Sequence, residues 1–223
     1  MKADNKIAKE IKAISATLPQ SVTLIAVSKY HPAEAVMEAY EAGQRDFGES
    51  KAQDLVKKHE ALPKDINWHF IGHLQSNKIK YIAPFIYLIH SIDSYKLLQE
   101  VDRHAAKSER VINCLLQIHI AQEESKFGFT PDEVKSMLAE GAWRELRHIK
   151  IRGVMCMASN TDDEEQIEKE FTSVELLFKE IKEKFFSSDD DFNIISAGMS
   201  DDYPIAIKHG STHVRVGSRI FSH

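Results

Sequence analysis

Apolar, β-branched runs alternate with helical patterns eight times along this chain of 223 residues, and that rhythm limits the fold more than any single motif. Two parallel strands cannot be joined by a tight turn, so a helix between two apolar runs reads as a crossover in a parallel sheet. Strand patterns fall at residues 24–29, 45–49, 68–72, 86–90, 111–119, 149–155, 192–196 and 213–216. Helical patterns separate them, over residues 33–42 with Gly43 as C-cap, after Glu49, over 76–82, and after Asp93 or Ser94 as N-cap. Thr130-Pro131-Asp132-Glu133 forms a capping box, and Thr161 with Glu164 suggests a second one. The helix after it carries Ile167, Phe171, Val174, Phe178 and Ile181 at four- and three-residue steps, a stripe for a core. A last short helix is expected over 200–209, and an additional one at the front over 6–18, with Ile7, Ile11, Ile14 and Leu18 on one face. No linker, repeat or low-complexity tract interrupts the series. The expectation is an α/β fold with a single domain over 1–223, a (β/α)8 barrel with an extra N-terminal helix. A doubly wound open sheet is the alternative.

Composition narrows the function classes. A chain that is 43% hydrophobic can bury a sizeable core, and a net charge of −5 argues against a nucleic-acid or anionic-membrane binder. Cys114 and Cys156 lie inside apolar runs and read as buried small hydrophobes, not as a disulfide framework or zinc ligands. The first residues lack a signal peptide's apolar core, and no apolar run is long enough to span a bilayer, so a cytoplasmic protein is expected.

A barrel places chemistry at the C-terminal ends of its strands. Lys29, Gly48-Glu49-Ser50, Gly72-His73, Met199-Ser200 and Gly217-Ser218 all fall there. Lys29 follows the run Leu24-Ile25-Ala26-Val27. Burial of an amine lowers its pKa and suits Schiff-base chemistry with an aldehyde, whereas a lysine that snorkels to water carries no such meaning. Ser200 reads either as an ordinary N-cap or as part of an anion site at a helix start. Arg215 interrupts an apolar strand, where a guanidinium must be ion-paired or aimed at a ligand. His69 and His73 straddle a strand end and a glycine turn, a poor geometry for a metal pair. Lys78, Lys80 and the acidic run over 187–191 read as solvated surface, and His119 with Glu123-Glu124 as possible rim groups.

Several segments together carry a family resemblance. These are Val27-Ser28-Lys29, Phe47-Gly48-Glu49, the run from Trp68 to Lys78, Lys126-Phe127-Gly128, Gly198-Met199-Ser200-Asp201-Asp202 and the run from Gly210 to Gly217. The chain resembles, over nearly its whole length, the pyridoxal phosphate homeostasis proteins, which are similar to the barrel domain of alanine racemase. The resemblance implies pyridoxal 5′-phosphate (PLP) as cofactor, held as a Schiff base on Lys29. It implies a phosphate site from Ser200, Gly217, Ser218 and the Met199 backbone, Arg215 facing the pyridine nitrogen, and His69 and Gly72 near the cofactor. It further implies a monomer, with PLP-dependent apo-enzymes as recipients. Two positions depart from the pattern: Ser50 stands where the family usually has Asn, and Ala197 where it usually has Met.

A racemase needs an acid–base group on each face of its substrate. In alanine racemase a separate β-domain of the partner supplies the second, and this chain ends directly after the barrel. A cation at the pyridine nitrogen also weakens the ring as an electron sink. The expectation is therefore a PLP carrier in vitamin B6 homeostasis without dedicated turnover. The rivals are a small PLP-dependent racemase or lyase using a tyrosine or cysteine of its own barrel, and a phosphosugar-type barrel enzyme using Lys29 without cofactor.

Overall fold

A computed structural model describes residues 6–121 and 127–221. Lys126 of the Lys126-Phe127-Gly128 segment, and Glu123-Glu124, lie outside the described residues. Helix α1 (Lys6–Thr17) precedes β1 (Thr23–Val27), α2 (Ala33–Glu41), β2 (Asp46–Glu49), α3 (Ala52–Ala61) and β3 (Asn67–Phe70). After a 3-10 turn come α4 (Ile79–Ile82), β4 (Leu88–Ile92), α5 (Tyr95–Lys107), β5 (Ile112–Ile118), α6 (Pro131–Glu140) and β6 (Ile149–Cys156). Then α7 (Glu164–Phe185), β7 (Ile194–Ser196), α8 (Tyr203–Lys208), β8 (His213–Val216) and α9 (Ser218–Phe221) complete the chain. The eight strands are all parallel and close in sequence order into one barrel, as the alternation predicts. The open sheet is excluded.

Closure matters for the site. Strands β1 and β8 pair from Thr23↔His213 to Ala26↔Val216, so the segment after Val27 and the segment after Val216 leave the barrel side by side. Two apolar layers hold this frame. The larger fills the space between strands and helices; there α7 buries Ile167, Phe171, Val174, Leu177 and Ile181, with Phe178 partly buried against them. Each such side chain contributes about 1.5–3 kcal/mol. The smaller cluster, Leu88, Leu115, Met155 and Ile194, shares strand faces with polar residues two positions further on: His90, Gln117 and Ser196. The barrel interior thus carries an apolar layer with a polar one above it.

Some helix caps and element ends depart from expectation. The capping box of Thr130 and Glu133 is present, but α7 is capped by Asp163, whose carboxylate accepts from the N–H groups of Glu165 and Gln166. Thr161 only accepts from the N–H of Asp163. Of the two candidates for α5, Ser94 is the cap. Strand β4 runs to Ile92 rather than stopping at His90. Helix α8 starts at Tyr203 and not at Ser200, because the Met199 carbonyl accepts from the N–H groups of both Asp202 and Tyr203 and holds residues 200–202 in a turn.

Candidate functional site

The C-terminal ends of the strands surround an open cavity of about 500 Å³, within the range of small-molecule sites. Lys29, Gly72, Met199, Ser200, Arg215, Gly217 and Ser218 all line it, together with Val27, Ser50, Ile71, His73, Gln117, Phe127, Met157 and Asp201. Seven of the eight residues singled out above therefore converge on one space. His69 does not: it lies deeper in the barrel, fully buried.

Lys29 stands two residues beyond β1 and is exposed at the cavity wall. Lys29 is therefore not the buried amine considered from sequence, because β1 ends at Val27 and the chain has already left the hydrophobic interior. What the fold provides is placement. Ser28 is fully buried and donates from Oγ to Glu49 Oε1 at 2.6 Å. Lys58 of α3, itself buried, donates to Glu49 Oε1 at 2.5 Å and to the Ser28 carbonyl at 2.8 Å. The peptide that carries Lys29 is thereby tied to a buried ion pair. Tyr30 follows with φ at +70°, its ring 5.7 Å from the Lys29 ammonium.

Arg215, 4% exposed, forms the floor. Its Nη1 donates to Ser196 Oγ at 2.6 Å and its Nη2 to the Cys156 carbonyl at 2.8 Å. Among the described residues no carboxylate lies within ion-pair distance of it, so the buried structural salt bridge considered from sequence is absent. Burial lowers its pKa, against the opposing influence of Cys156 and the Asp202 carboxylate. A guanidinium in that state, facing a cavity, is suited to an acceptor on a ligand.

Beside the Lys29 segment, after β8, the Ser218 hydroxyl donates to the Ser200 hydroxyl at 3.0 Å. Ser218 opens α9, where the first N–H groups have no intrahelical acceptor. The Met199 N–H, assigned above to a phosphate, is already donated to Asp202 Oδ1 at 2.5 Å. Backbone proximity explains two glycines. A Cβ on Gly72 would lie 2.3 Å from the Ser50 carbonyl oxygen, and one on Gly217 would lie 3.0 Å from the Val27 carbonyl oxygen.

His73, placed at a strand end from sequence but given no role there, also lines the cavity. Its Nδ1 lies 3.3 Å from Asp93 Oδ2 and its ring stacks on Phe127 at 4.1 Å. Its place after Gly72, at a strand end, was the available signal. Ser50, set aside because of its departure from the family pattern, also lines the cavity. Among the described residues no cluster of side chains has the makings of a metal site. No helix among them is long and apolar enough to cross a membrane.

Fold and site together define a (β/α)8 barrel with a lysine, an arginine and a hydroxyl-rich turn around one small-molecule cavity. The sequence model of the family described as alanine racemase, N-terminal domain, matches residues 4–223. A pyridoxal phosphate homeostasis protein of Helicobacter pylori is 38% identical over 202 residues, covering 90% of this chain and 87% of that protein. The structure of PipY from Synechococcus elongatus with PLP bound superposes with a TM-score of 0.88 at 34% identity, covering 96% of this chain and 99% of that one. The alanine racemase of Clostridium difficile shares the fold, with a TM-score of 0.77 at 14% identity over 99% of this chain and 57% of that one. The chain belongs to the alanine racemase N-terminal-domain family and, within it, to the pyridoxal phosphate homeostasis proteins.

Proposed function

We propose that this protein binds pyridoxal 5′-phosphate in the cavity and holds it for cellular vitamin B6 homeostasis, without dedicated turnover. The observation that carries the reading is Arg215: a buried guanidinium with no carboxylate within ion-pair distance among the described residues, on the floor of a cavity that also presents Lys29 and the Ser200–Ser218 hydroxyl pair. A lysine, a hydroxyl-rich helix start and an unpaired cation match an aldehyde, a phosphate and a ring nitrogen in turn. The PLP-bound state of PipY, a relative matched over nearly its whole chain, supports the same assignment.

When bound, PLP supplies an aldehyde for a lysine amine and an electron-withdrawing ring. Lys29 is the covalent anchor, presented by the Ser28–Glu49–Lys58 ring of hydrogen bonds. Ser200, Ser218 and Gly217 would hold the phosphate, and the Met199 N–H would take part only where it is not donated to Asp202. Gly72 gives the ligand room. Arg215 would face the ring nitrogen as a donor and oppose its protonation, which would limit carbanion chemistry. Turnover also needs a second acid–base group. The two thiols are poor candidates, since burial pushes Cys156 up to about 12 and raises Cys114 as well. The protein then acts as a monomeric store that delivers PLP to apo-enzymes.

Purified protein incubated with PLP, reduced with borohydride and digested tests the anchor. A reduced PLP adduct on the peptide containing Lys29, lost in Lys29→Ala, is the expected result. An adduct elsewhere, or none at all, overturns the assignment.

A further inference from the structure

Beneath the cavity a continuous chain of hydrogen bonds crosses the barrel interior, and neither Lys29 nor the phosphate cup uses it. Asp46 Oδ1, at the start of β2, lies 3.0 Å from His69 Nε2 on β3. His69 Nδ1 lies 2.9 Å from His90 Nε2 on β4. His90 Nδ1 lies 2.9 Å from Ser196 Oγ on β7, which receives Arg215 Nη1 from β8 at 2.6 Å. Asp46 is partly open to water at the far end of the barrel, its side chain 22% exposed. His69, His90 and Ser196 are completely buried.

Donor counting fixes the protons. A guanidinium only donates, so Ser196 Oγ accepts from Arg215 and its own proton needs another acceptor. The remaining neighbour is His90 Nδ1, which must then be bare. His90 therefore carries its proton on Nε2 and donates to His69 Nδ1. His69 in turn carries its proton on Nε2 and donates to Asp46, which also accepts from Asn67 Nδ2 at 3.2 Å. Every donor finds an acceptor with both imidazoles neutral. Reversing the direction strands the Ser196 proton and requires a charged His69. Burial, with His69, Arg215 and His213 adding to it, holds His90 well below its ordinary pKa and agrees with the neutral form.

We propose that Asp46, His69, His90 and Ser196 are positioning residues that hold the Arg215 guanidinium toward the ligand as a fixed donor, so that the site favours a pyridine ring with a free nitrogen lone pair. The chain runs one way, from cation to carboxylate. Its last link offers Arg215 only an acceptor, which leaves the guanidinium no rotation that would turn it from the cavity without breaking a buried hydrogen bond. This explains why two buried histidines occupy a barrel interior that aliphatic side chains could fill. The inference rests on the PLP reading for the ligand, but the proton assignment stands on the protein alone.

Two measurements test it. Long-range proton–nitrogen correlation spectra of the full-length, cofactor-free protein should show His69 and His90 as Nε2–H tautomers at neutral pH. An Nδ1–H tautomer at either overturns the proposal. Titration with PLP and with N-methylated PLP, whose ring nitrogen has no lone pair, reads the effect at Arg215. His90→Leu should raise the PLP dissociation constant about tenfold, the value of one hydrogen bond to a charged group, and leave binding of the methylated ligand nearly unchanged. His90→Gln, which keeps one donor and one acceptor, should restore most of the loss. If His90→Leu fails to fold, Ser196→Ala removes the last link and serves in the same comparison. Equal losses for both ligands in a folded variant make the chain merely structural and overturn the proposal. Failure of the unaltered protein to take up PLP sinks the cofactor reading instead, while the tautomers still decide the proton assignment.

Discussion

Replacing Lys58 with methionine isolates the ion pair that holds the lysine-bearing turn. Lys58 is 7% exposed and Glu49 only 1%, and their contact at 2.5 Å is closed into a ring by the Ser28 carbonyl and hydroxyl. Methionine keeps the length of the stem and its packing. It removes both donated hydrogen bonds and leaves the Glu49 carboxylate facing the Ser28 hydroxyl alone. Deleting one member of a buried pair costs about 3–5 kcal/mol, because the remaining charge is neither solvated nor compensated. An exposed pair such as Lys169–Glu165 is worth at most about 1 kcal/mol by comparison. For a chain of this size each kcal/mol moves the melting midpoint by about 2–4 °C, so Lys58→Met should lower it by roughly 6–20 °C. Urea unfolding followed by circular dichroism gives the free energy directly. Adding Glu49→Gln removes the stranded charge, and the double variant should regain at least about 1 kcal/mol of the loss. A single-variant loss below about 1 kcal/mol, or a double variant no more stable than the single, would refute the argument.

Burial pushes His213 down to about 4 from an ordinary value of 6.5. In that interval the unfolded chain takes up a proton that the folded chain refuses, so stability should fall as pH drops from about 6.5 toward 4, by up to about 3 kcal/mol. His213→Gln should flatten the urea-midpoint profile in part, since His90 titrates in the same sense; an unchanged slope removes the assignment. Gly72→Ala places a Cβ against the Ser50 backbone, which must move. It should cost about 1–3 kcal/mol and weaken PLP uptake measured by absorbance titration, whereas unaltered uptake would show that this turn does not shape the cavity.

The barrel was legible because its signal is repeated. Eight apolar runs separated by helices leave few topologies, and errors of two residues at any boundary do not change the answer. Single caps carry no such redundancy. Thr161 with Glu164 and Asp163 with Gln166 both fit the spacing of a capping box, and only the backbone path shows that Asp163 holds the first turn of α7. At α8 the better signal was Pro204, which suits a first turn starting at Tyr203 and argues against a start at Ser200. Strand β4 continues past His90 through the polar Ser91 to Ile92. His90 and Ser91 are buried, and His90 is satisfied by partners on β3 and β7 that no local pattern reveals.

His69 is the instructive displacement, since residue type and neighbourhood both pointed to the cavity. Depth decides otherwise. In a closed parallel barrel, inward-facing side chains stack in layers, and only the last layer and the loops above it reach the mouth. His69 is paired with Gly48 and sits just above the level of Asp46, whereas Gly72 lies three residues further along a chain that rises about 3.3 Å per residue. An imidazole cannot bridge that distance. Arg215 is also embedded in a strand, yet its longer stem carries the guanidinium from β8 to the cavity floor while it remains bonded to Ser196 and the Cys156 carbonyl. Under the proposed function the two residues would therefore act on a ligand differently, Arg215 by reach and His69 only through His90 and Ser196. A sequence motif that contains both cannot separate those roles, because strand depth is a property of the closed barrel and not of the motif.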